Sequence, residues 1–436
     1  MDWWVTLVVG LALLAAAFIT GVPLFVAFLL VNFIGVLTMI GPAGFGLIAN
    51  SIFDTVSMDS LAALPLFILM GEVLFRGGAI DELLISVDKL VGRLPGRQYV
   101  LTSLLSTIFG ALSGSAMAVS AMMSRSMFPG MVLNGYDRKM SAGVIMAGAS
   151  LAPIIPPSVA VILIATLAGA SIAKLLIAGI LPGLLLAGMF IIYTTVRSVM
   201  DPKLTPGSSS EARVRPTLSE KLIALVRLAP IGLVIFSVMG FILFGIATPT
   251  EAAGTGVLGA IVTAAIFRKL NWKMLNESLH TAALIMGTIL VIMTSSNMFG
   301  QLLALTGTAA QLTQFISALN APIPVLVFLL MALTFVFCVF ADEIAMLLIL
   351  IPLFKPIVVA TGMNEVWFWT LMLINLVLGG ITPPFGYTMY AFKSGAPDMP
   401  LNEVYAATWP FVAIYVTAMC LIVIFPGIAT YLPSLL

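Results

Sequence analysis

Apolar runs of about 18 residues or more recur along this whole chain, and each is long enough to cross a bilayer. The runs are continuous rather than alternating, which argues for helices and against a membrane β-barrel. Composition agrees: 61% of the 436 residues are hydrophobic and 8% are charged. A soluble chain of this length needs far more charge to cover its surface. The fold class expected is an all-α polytopic membrane protein. Cys338 and Cys420 lie inside apolar runs and His280 is the single histidine. That set is too small for a disulfide framework, a zinc site or a histidine-based triad. The first run opens with Asp2, lacks a basic leader and continues into a second span, so no cleavable signal peptide is expected. Trp3 and Trp4 read as an interfacial anchor.

Spans are expected at 4–20, 22–40 and 60–76, with Gly21 and Pro23 turning the chain between the first two. A polar interval with Asp54 and Asp59 precedes the third. The stretch 76–98 carries Arg76, Lys89, Arg93 and Arg97, and its apolar spacing suits an amphipathic helix lying along the interface. Two short limbs, 99–112 and 116–128, are joined by Ser113-Gly114-Ser115. A limb of about 14 residues reaches about 21 Å, short of a hydrocarbon core of about 30 Å. A re-entrant hairpin with its tip at mid-depth follows. The segment 140–168 is interrupted by Pro153, Pro156 and Pro157, and another span covers 175–196. A polar, basic linker at 198–224 separates the first unit, 1–197, from the second, 225–436. The second unit repeats the outline, with spans at 226–246, 250–267 and 281–299 and an amphipathic stretch at 300–320. A hairpin at 323–358, an interrupted segment at 366–393 and a last span at 404–425 complete it.

The halves share positions as well as outline. One constant offset lays Pro129 on Pro356, Gly135 on Gly362 and Pro156-Pro157 on Pro383-Pro384. A slightly different one lays Gly71, Leu74, Gly78 and Leu83 on Gly300, Leu303, Gly307 and Leu312. Each half then has an odd number of crossings, because a hairpin that returns to its own side adds none. The halves are therefore expected to be inverted relative to each other. Lys and Arg near 76–98, 129–139, 197–224 and 268–273 fall on one side under this count, taken as cytoplasmic. Both termini are then periplasmic, and Lys355 is the exception that the count does not place.

Inverted repeats with broken helices are the architecture of secondary transporters. Backbone in hydrocarbon must satisfy its own polar groups, so an unpaired carbonyl persists only where something binds it. A proline cannot donate to the carbonyl four residues earlier. Pro156 and Pro157 thus release Ala152 and Pro153, while Pro383 and Pro384 release Gly379 and Gly380. Converging carbonyls suit a small hard cation. Ser113 and Ser115 add hydroxyls at the first tip, Gly114 allows the sharp turn, and the following limb offers amide hydrogens to an anion. Ala341-Asp342 marks the second tip, where Asp342 brings a charge, and Thr382 offers a hydroxyl beside it. The structural alternative is that the serines cap a kinked helix and the prolines only bend their spans. Further candidates read two ways. Glu72 suits an ion pair with Arg76 or a coupling role, and Gln301 takes the equivalent position in the repeat. Asn297 suits a cavity wall or a helix–helix hydrogen bond, and Arg125 suits a substrate carboxylate or a cytoplasmic anchor. Glu251 in Thr248-Pro249-Thr250-Glu251 reads as a helix cap.

Gly110-Ala111-Leu112-Ser113-Gly114-Ser115, Ile155-Pro156-Pro157-Ser158, Thr248-Pro249-Thr250-Glu251-Ala252 and Gly380-Ile381-Thr382-Pro383-Pro384 closely resemble one family. It is the large membrane subunit of tripartite ATP-independent periplasmic (TRAP) transporters, the dicarboxylate-transport M type. The likeness runs from about residue 5 to residue 425. The resemblance implies an elevator-type carrier of the ion-transporter superfamily in a bacterial inner membrane. It implies sodium as coupling ion and an organic acid as cargo, such as a dicarboxylate or sugar acid. It also implies a soluble periplasmic binding protein that delivers the cargo and a separate small four-helix membrane subunit. By position, its sodium sites fall at Ser113, Gly114 and Ser115 with Ala152, Pro153, Ile155 and Pro157, and at Ala341 and Asp342 with Gly379, Gly380, Thr382 and Pro384. Candidate substrate contacts are Ser113, Ser115, Arg125, Asn297, Asp342 and Thr382. The short segments 79–92 and 302–320 resemble its connecting arms. Many relatives carry a second small or hydroxyl residue after Ser-Gly-Ser; here it is Ala116, which implies a backbone-only ligand there. The rival expectations are a stand-alone sodium–dicarboxylate symporter and, less favoured, a channel or an intramembrane hydrolase. No enzyme activity, further cofactor or nucleic-acid partner is expected.

Overall fold

The computed structural model describes residues 2–92, 94–205, 217–338 and 343–436, and among these it contains helices and no strand. Arg93 and the linker residues 206–216 lie outside the described set. Seven helical stretches among the described residues are long and apolar enough to cross a membrane.

Helices α1 (Trp3–Ile19) and α2 (Leu24–Gly35) take the first two runs, with Gly21 at φ +75° in the turn between them. The interval read as polar is helical: α3 spans Phe45–Val56. Ser51 and Thr55 face inward, while Asn50 and Asp54 are exposed beside Ile52, Phe53 and Val56. Ser51 donates to Gln301 Oε1 at 2.7 Å, and Asn297 donates to Thr55 Oγ1 at 2.9 Å. In lipid the apolar face is the outer one, so a stripe that looks like loop chemistry is a packing seam. Helix α4 (Ala63–Leu74) runs through a π turn, where Gly78 takes φ +89°, into the amphipathic α5 (Ile80–Val91).

The first hairpin is α6 (Arg97–Ser113) and α7 (Ala116–Ser126). At 1.5 Å per residue they reach about 26 and 17 Å, each short of a hydrocarbon core of about 30 Å. After α8 (Phe128–Leu133) comes the interrupted helix: α9 (Arg138–Ala149), a break, then α10 (Val159–Ala168). Helices α11 (Ile172–Ala178) and α12 (Ile180–Met200) close the half.

Helix α13 begins at Leu218, inside the stretch read as linker, and ends at Leu243. Thr217 and Glu220 form a capping box there, and that local pairing starts the helix before the apolar run does. A second box, Thr248 with Glu251, opens α14 (Pro249–Ile266) as the sequence suggests. Helix α15 (Trp272–Leu305) is longer than expected; its 34 residues make about 51 Å. There follow α16 (Thr308–Ala318), a second hairpin of α17 (Ile323–Cys338) and α18 (Glu343–Thr361), and a second interrupted helix of α19 (Glu365–Gly380) and α20 (Tyr387–Gly395). The last elements are α21 (Leu401–Ile424) and the short α22 (Gly427–Thr430). Positions paired by the sequence offsets share backbone geometry. Gly78 and Gly307 have φ of +89° and +71°, and Gly135 and Gly362 have +86° and +65°. Pro156-Pro157 and Pro383-Pro384 are both cis.

The helices pack as two groups, each drawn from both halves. In one, α4 lies against α14 and α15, α13 against α14 and α5, and α15 against α2 and α3. In the other, α9 lies against α6, α7 and α21, and α19 lies against α17, α18 and α21. Within this second group the halves cross over. The return limb of the first hairpin, α7, packs on α20, and that of the second, α18, packs on α10. Ser120 donates to the Thr388 carbonyl at 2.9 Å and Phe128 meets Phe392 edge-on at 5.0 Å. Lys355 donates to the Leu167 carbonyl at 3.4 Å, so the cation that the side count left over sits at the carbonyl end of α10. Nearly every residue of α9, α10 and α19 is buried, as expected for helices apolar on all sides.

Close backbone approach explains several glycines. A Cβ on Gly110 would lie 2.8 Å from the Ala152 Cα and 3.1 Å from its nitrogen. Gly110→Ala is expected to lower the melting temperature in detergent, by about 1–3 kcal/mol of overpacking. Gly188 would meet nothing within 4 Å, and Gly188→Ala is expected to match or exceed the parent.

Candidate functional site

A cavity of about 580 Å³ opens between the two helix groups. One wall is Phe67 to Arg76 of α4 and its π turn with Ile285 to Ile292 of α15. The other wall is the tip of the first hairpin, the end of the first break and the start of α18.

The tip is built by local hydrogen bonds. Gly114 takes φ +62°, the left-handed conformation that ends α6. Ser115 caps α7 by accepting from the Ala118 amide at 3.3 Å, and Ser113 Oγ accepts from the Ser115 amide at 3.3 Å. The tip rests on the break, since a Cβ on Gly114 would lie 3.6 Å from the Val159 nitrogen and 3.9 Å from the Pro157 carbonyl. Ser113, Gly114, Ser115 and Pro157 all line the cavity. Ala152 and Pro153 are buried behind the tip, and Ile155 points to Gly183 of α12.

The carbonyls that the prolines release are mostly met by the protein. Pro153 accepts from the Ser158 hydroxyl, and Ser158 also caps α10. Gly379 accepts from the Thr382 amide at 3.1 Å and Gly380 from the Thr388 hydroxyl at 2.6 Å. The expectation of unpaired oxygens is corrected here. A hydroxyl follows each proline pair, by one residue at Ser158 and by four at Thr388, and folds back on the break. Each such carbonyl keeps a second lone pair. Thr382 donates its own hydroxyl to Leu378 at 2.6 Å, and the Pro384 carbonyl accepts from Tyr390 at 3.2 Å and Tyr405 at 3.0 Å.

Ala341 and Asp342 lie outside the described residues. Their flanks are informative. Cys338 is packed on Gly379, where an added Cβ would meet the Cys338 Cβ at 2.4 Å. Glu343 opens α18 on the cavity wall, and Tyr387 donates to its Oε2 at 2.6 Å. This carboxylate was passed over in favour of its neighbour; an acid inside an apolar hairpin was the available signal. Arg76 was likewise read only as a partner for Glu72. It binds Glu72 through Nε at 3.1 Å, Glu277 through Nη1 at 3.0 Å and Thr281 through Nη2 at 3.1 Å. It thereby ties α4 to α15, and both Arg76 and Glu72 face the cavity. Arg125 and Asn297 do not line it. Arg125 is exposed with its stem against Gly395, and Asn297 serves the seam with α3.

Two helix N-termini reach the same space, those of α7 and α10. Such ends carry partial positive charge and free amides, which favour an anionic group. With Glu343 and a hydroxyl-lined tip alongside, the cavity has places for both signs of charge. Tyr387→Phe removes one partner of the Glu343 carboxylate and is expected to destabilise the protein by about 1–3 kcal/mol, read as a lower melting temperature.

Known proteins share this architecture. The chain is similar to the ectoine TRAP transporter large permease protein TeaC of Halomonas elongata, with 30% identity over 99% of this chain and 98% of the relative. It is similar to the C4-dicarboxylate TRAP transporter large permease protein DctM of Rhodobacter capsulatus, with 27% identity over 97% of this chain and 98% of that one. In structure it is similar to the YdaH transporter of Alcanivorax borkumensis, with a TM-score of 0.62, 15% sequence identity and 90% of each chain covered; that likeness concerns the fold alone. The family described as "Tripartite ATP-independent periplasmic transporter, DctM component" matches residues 7–428, and the chain belongs to it, as the large permease component of a membrane transporter.

Proposed function

We propose that the chain is the carrier subunit of a sodium-coupled importer for a small carboxylate-bearing solute. The observation that supports this most is the cavity that the first hairpin tip, the first break and the start of α18 share with α4 and α15. It lies between two helix groups, so sliding one group past the other would carry the cavity's contents across the membrane. That is an elevator, with α4, α5 and α13–α15 as the fixed frame and the hairpins and broken helices as the moving part. In this reading the two halves are inverted repeats, 1–197 and 225–436, and the termini are periplasmic. Sodium binds at Ser113, Gly114 and Ser115 with the first break. A second sodium binds at Ala341 and Asp342 with Gly379, Gly380, Thr382 and Pro384. The carbonyl lone pairs left over at the breaks supply oxygens beyond the hydroxyls.

Partners follow from the family: a small membrane subunit and a periplasmic binding protein that delivers the solute across the inner membrane. Solutes named for the relatives include ectoine and C4-dicarboxylates, which carry carboxylate, and isethionate, which carries a sulfonate. Each net inward positive charge would gain about 2.3 kcal/mol at about 100 mV, so two sodium ions with one monoanion use gradient and voltage together.

The test is uptake into proteoliposomes that hold the chain with its small subunit and receive loaded binding protein. Uptake should require sodium and collapse when potassium replaces it; equal uptake in potassium would sink the coupling. Ser115→Ala should raise the sodium concentration for half-maximal uptake about five- to tenfold, the effect of losing about 1 kcal/mol at one ligand.

A further inference from the structure

We propose that the cavity is built for a zwitterion, a solute with one carboxylate and one cationic nitrogen, rather than for a dicarboxylate. The inference rests on the carrier reading above and narrows its substrate. Among the described residues, the ionisable side chains on the cavity wall are Glu72, Arg76 and Glu343. These three sum to one negative charge before sodium or solute enters, and no further described lysine or arginine lines the cavity.

Arg76 is not free to act as a second anion site. Nε, Nη1 and Nη2 are each engaged, by Glu72, Glu277 and Thr281 at 3.0–3.1 Å, so two carboxylates already answer its charge. The helix N-termini of α7 and α10, beside Ser113 and Ser115, offer amides for one carboxylate. A cation bound at that tip would help to hold the same group. Desolvated beside Glu72 or Glu343, a second carboxylate would meet like charge at a cost on the order of several kcal/mol. A cationic nitrogen in that place meets the Glu343 carboxylate, which Tyr387 holds at 2.6 Å. Phe67, Phe75, Ile289 and Ile292 also line the cavity and suit the solute's carbon frame.

Three four-carbon probes that differ chiefly in charge test this: γ-aminobutyrate, succinate and butyrate. Each is titrated against the full chain with its small membrane subunit in detergent, in sodium and in potassium, with the melting temperature as readout. γ-Aminobutyrate is expected to bind at least about tenfold more tightly than succinate in sodium. Glu343→Gln should bring the two within about twofold, and Glu343→Asp, which keeps the charge, should restore the gap. Succinate binding as tightly as γ-aminobutyrate, or a gap that survives Glu343→Gln, overturns the zwitterion. Sodium-dependent binding of succinate alone overturns the substrate class and leaves the carrier standing. Absence of sodium-dependent binding by all three overturns both.

Discussion

Hydrocarbon offers no hydrogen bonds, and everything at the centre of this protein answers that constraint. Two helices are broken, at 150–158, which is almost wholly buried, and at 381–386, where Pro384 and Phe385 are exposed. Each break exposes backbone that α-helical pairing can no longer satisfy. The protein covers these gaps with hydroxyls placed just beyond the prolines, Ser158 on Pro153 and Thr388 on Gly380. It also brings a hairpin against each break through glycine contacts, Gly110 on Ala152 and Gly379 on Cys338. Removing any one partner would strand a polar group where water is absent, a cost of about 1–3 kcal/mol or more per group.

The crossed packing of the halves follows from the same need. A hairpin limb of 11 residues cannot span the membrane, so its end must be held by protein. Helix α7 finds that support on α20, and α18 finds it on α10. Each half therefore completes the other, and the hairpins and breaks form one body. That body meets the wall around the cavity, with α6 and α10 against α4 and α18 against α15. The Arg76 cluster stiffens the wall by binding α4 to α15. These pairs are partly exposed, so their strength lies in fixing geometry more than in stability.

Much of this was legible in the residues. The two offsets that paired Gly78 with Gly307 and Gly135 with Gly362 found positions whose backbone favours glycine, and all four carry positive φ. The hairpin limits and both breaks fell within a few residues of their observed places, because proline and glycine act locally. The misreadings share a cause. Helix α3 was hidden by polar residues that pack inward, and the start of α13 by the polar residues of its own cap. Polarity was read as exposure to water, whereas in a membrane it marks what must be turned away from lipid.

The sequence by itself determined the class of the protein, its broken helices and the turn at the first hairpin tip. Those features depend on hydropathy and on residues that constrain their own backbone. Only the tertiary structure decided which oxygens the breaks leave over, that Glu343 and Arg76 rather than Arg125 and Asn297 reach the cavity, and that the halves interlock. Those outcomes depend on which distant segments meet, and a released carbonyl is satisfied by whatever donor the fold brings within about 3 Å, a fact no local pattern contains.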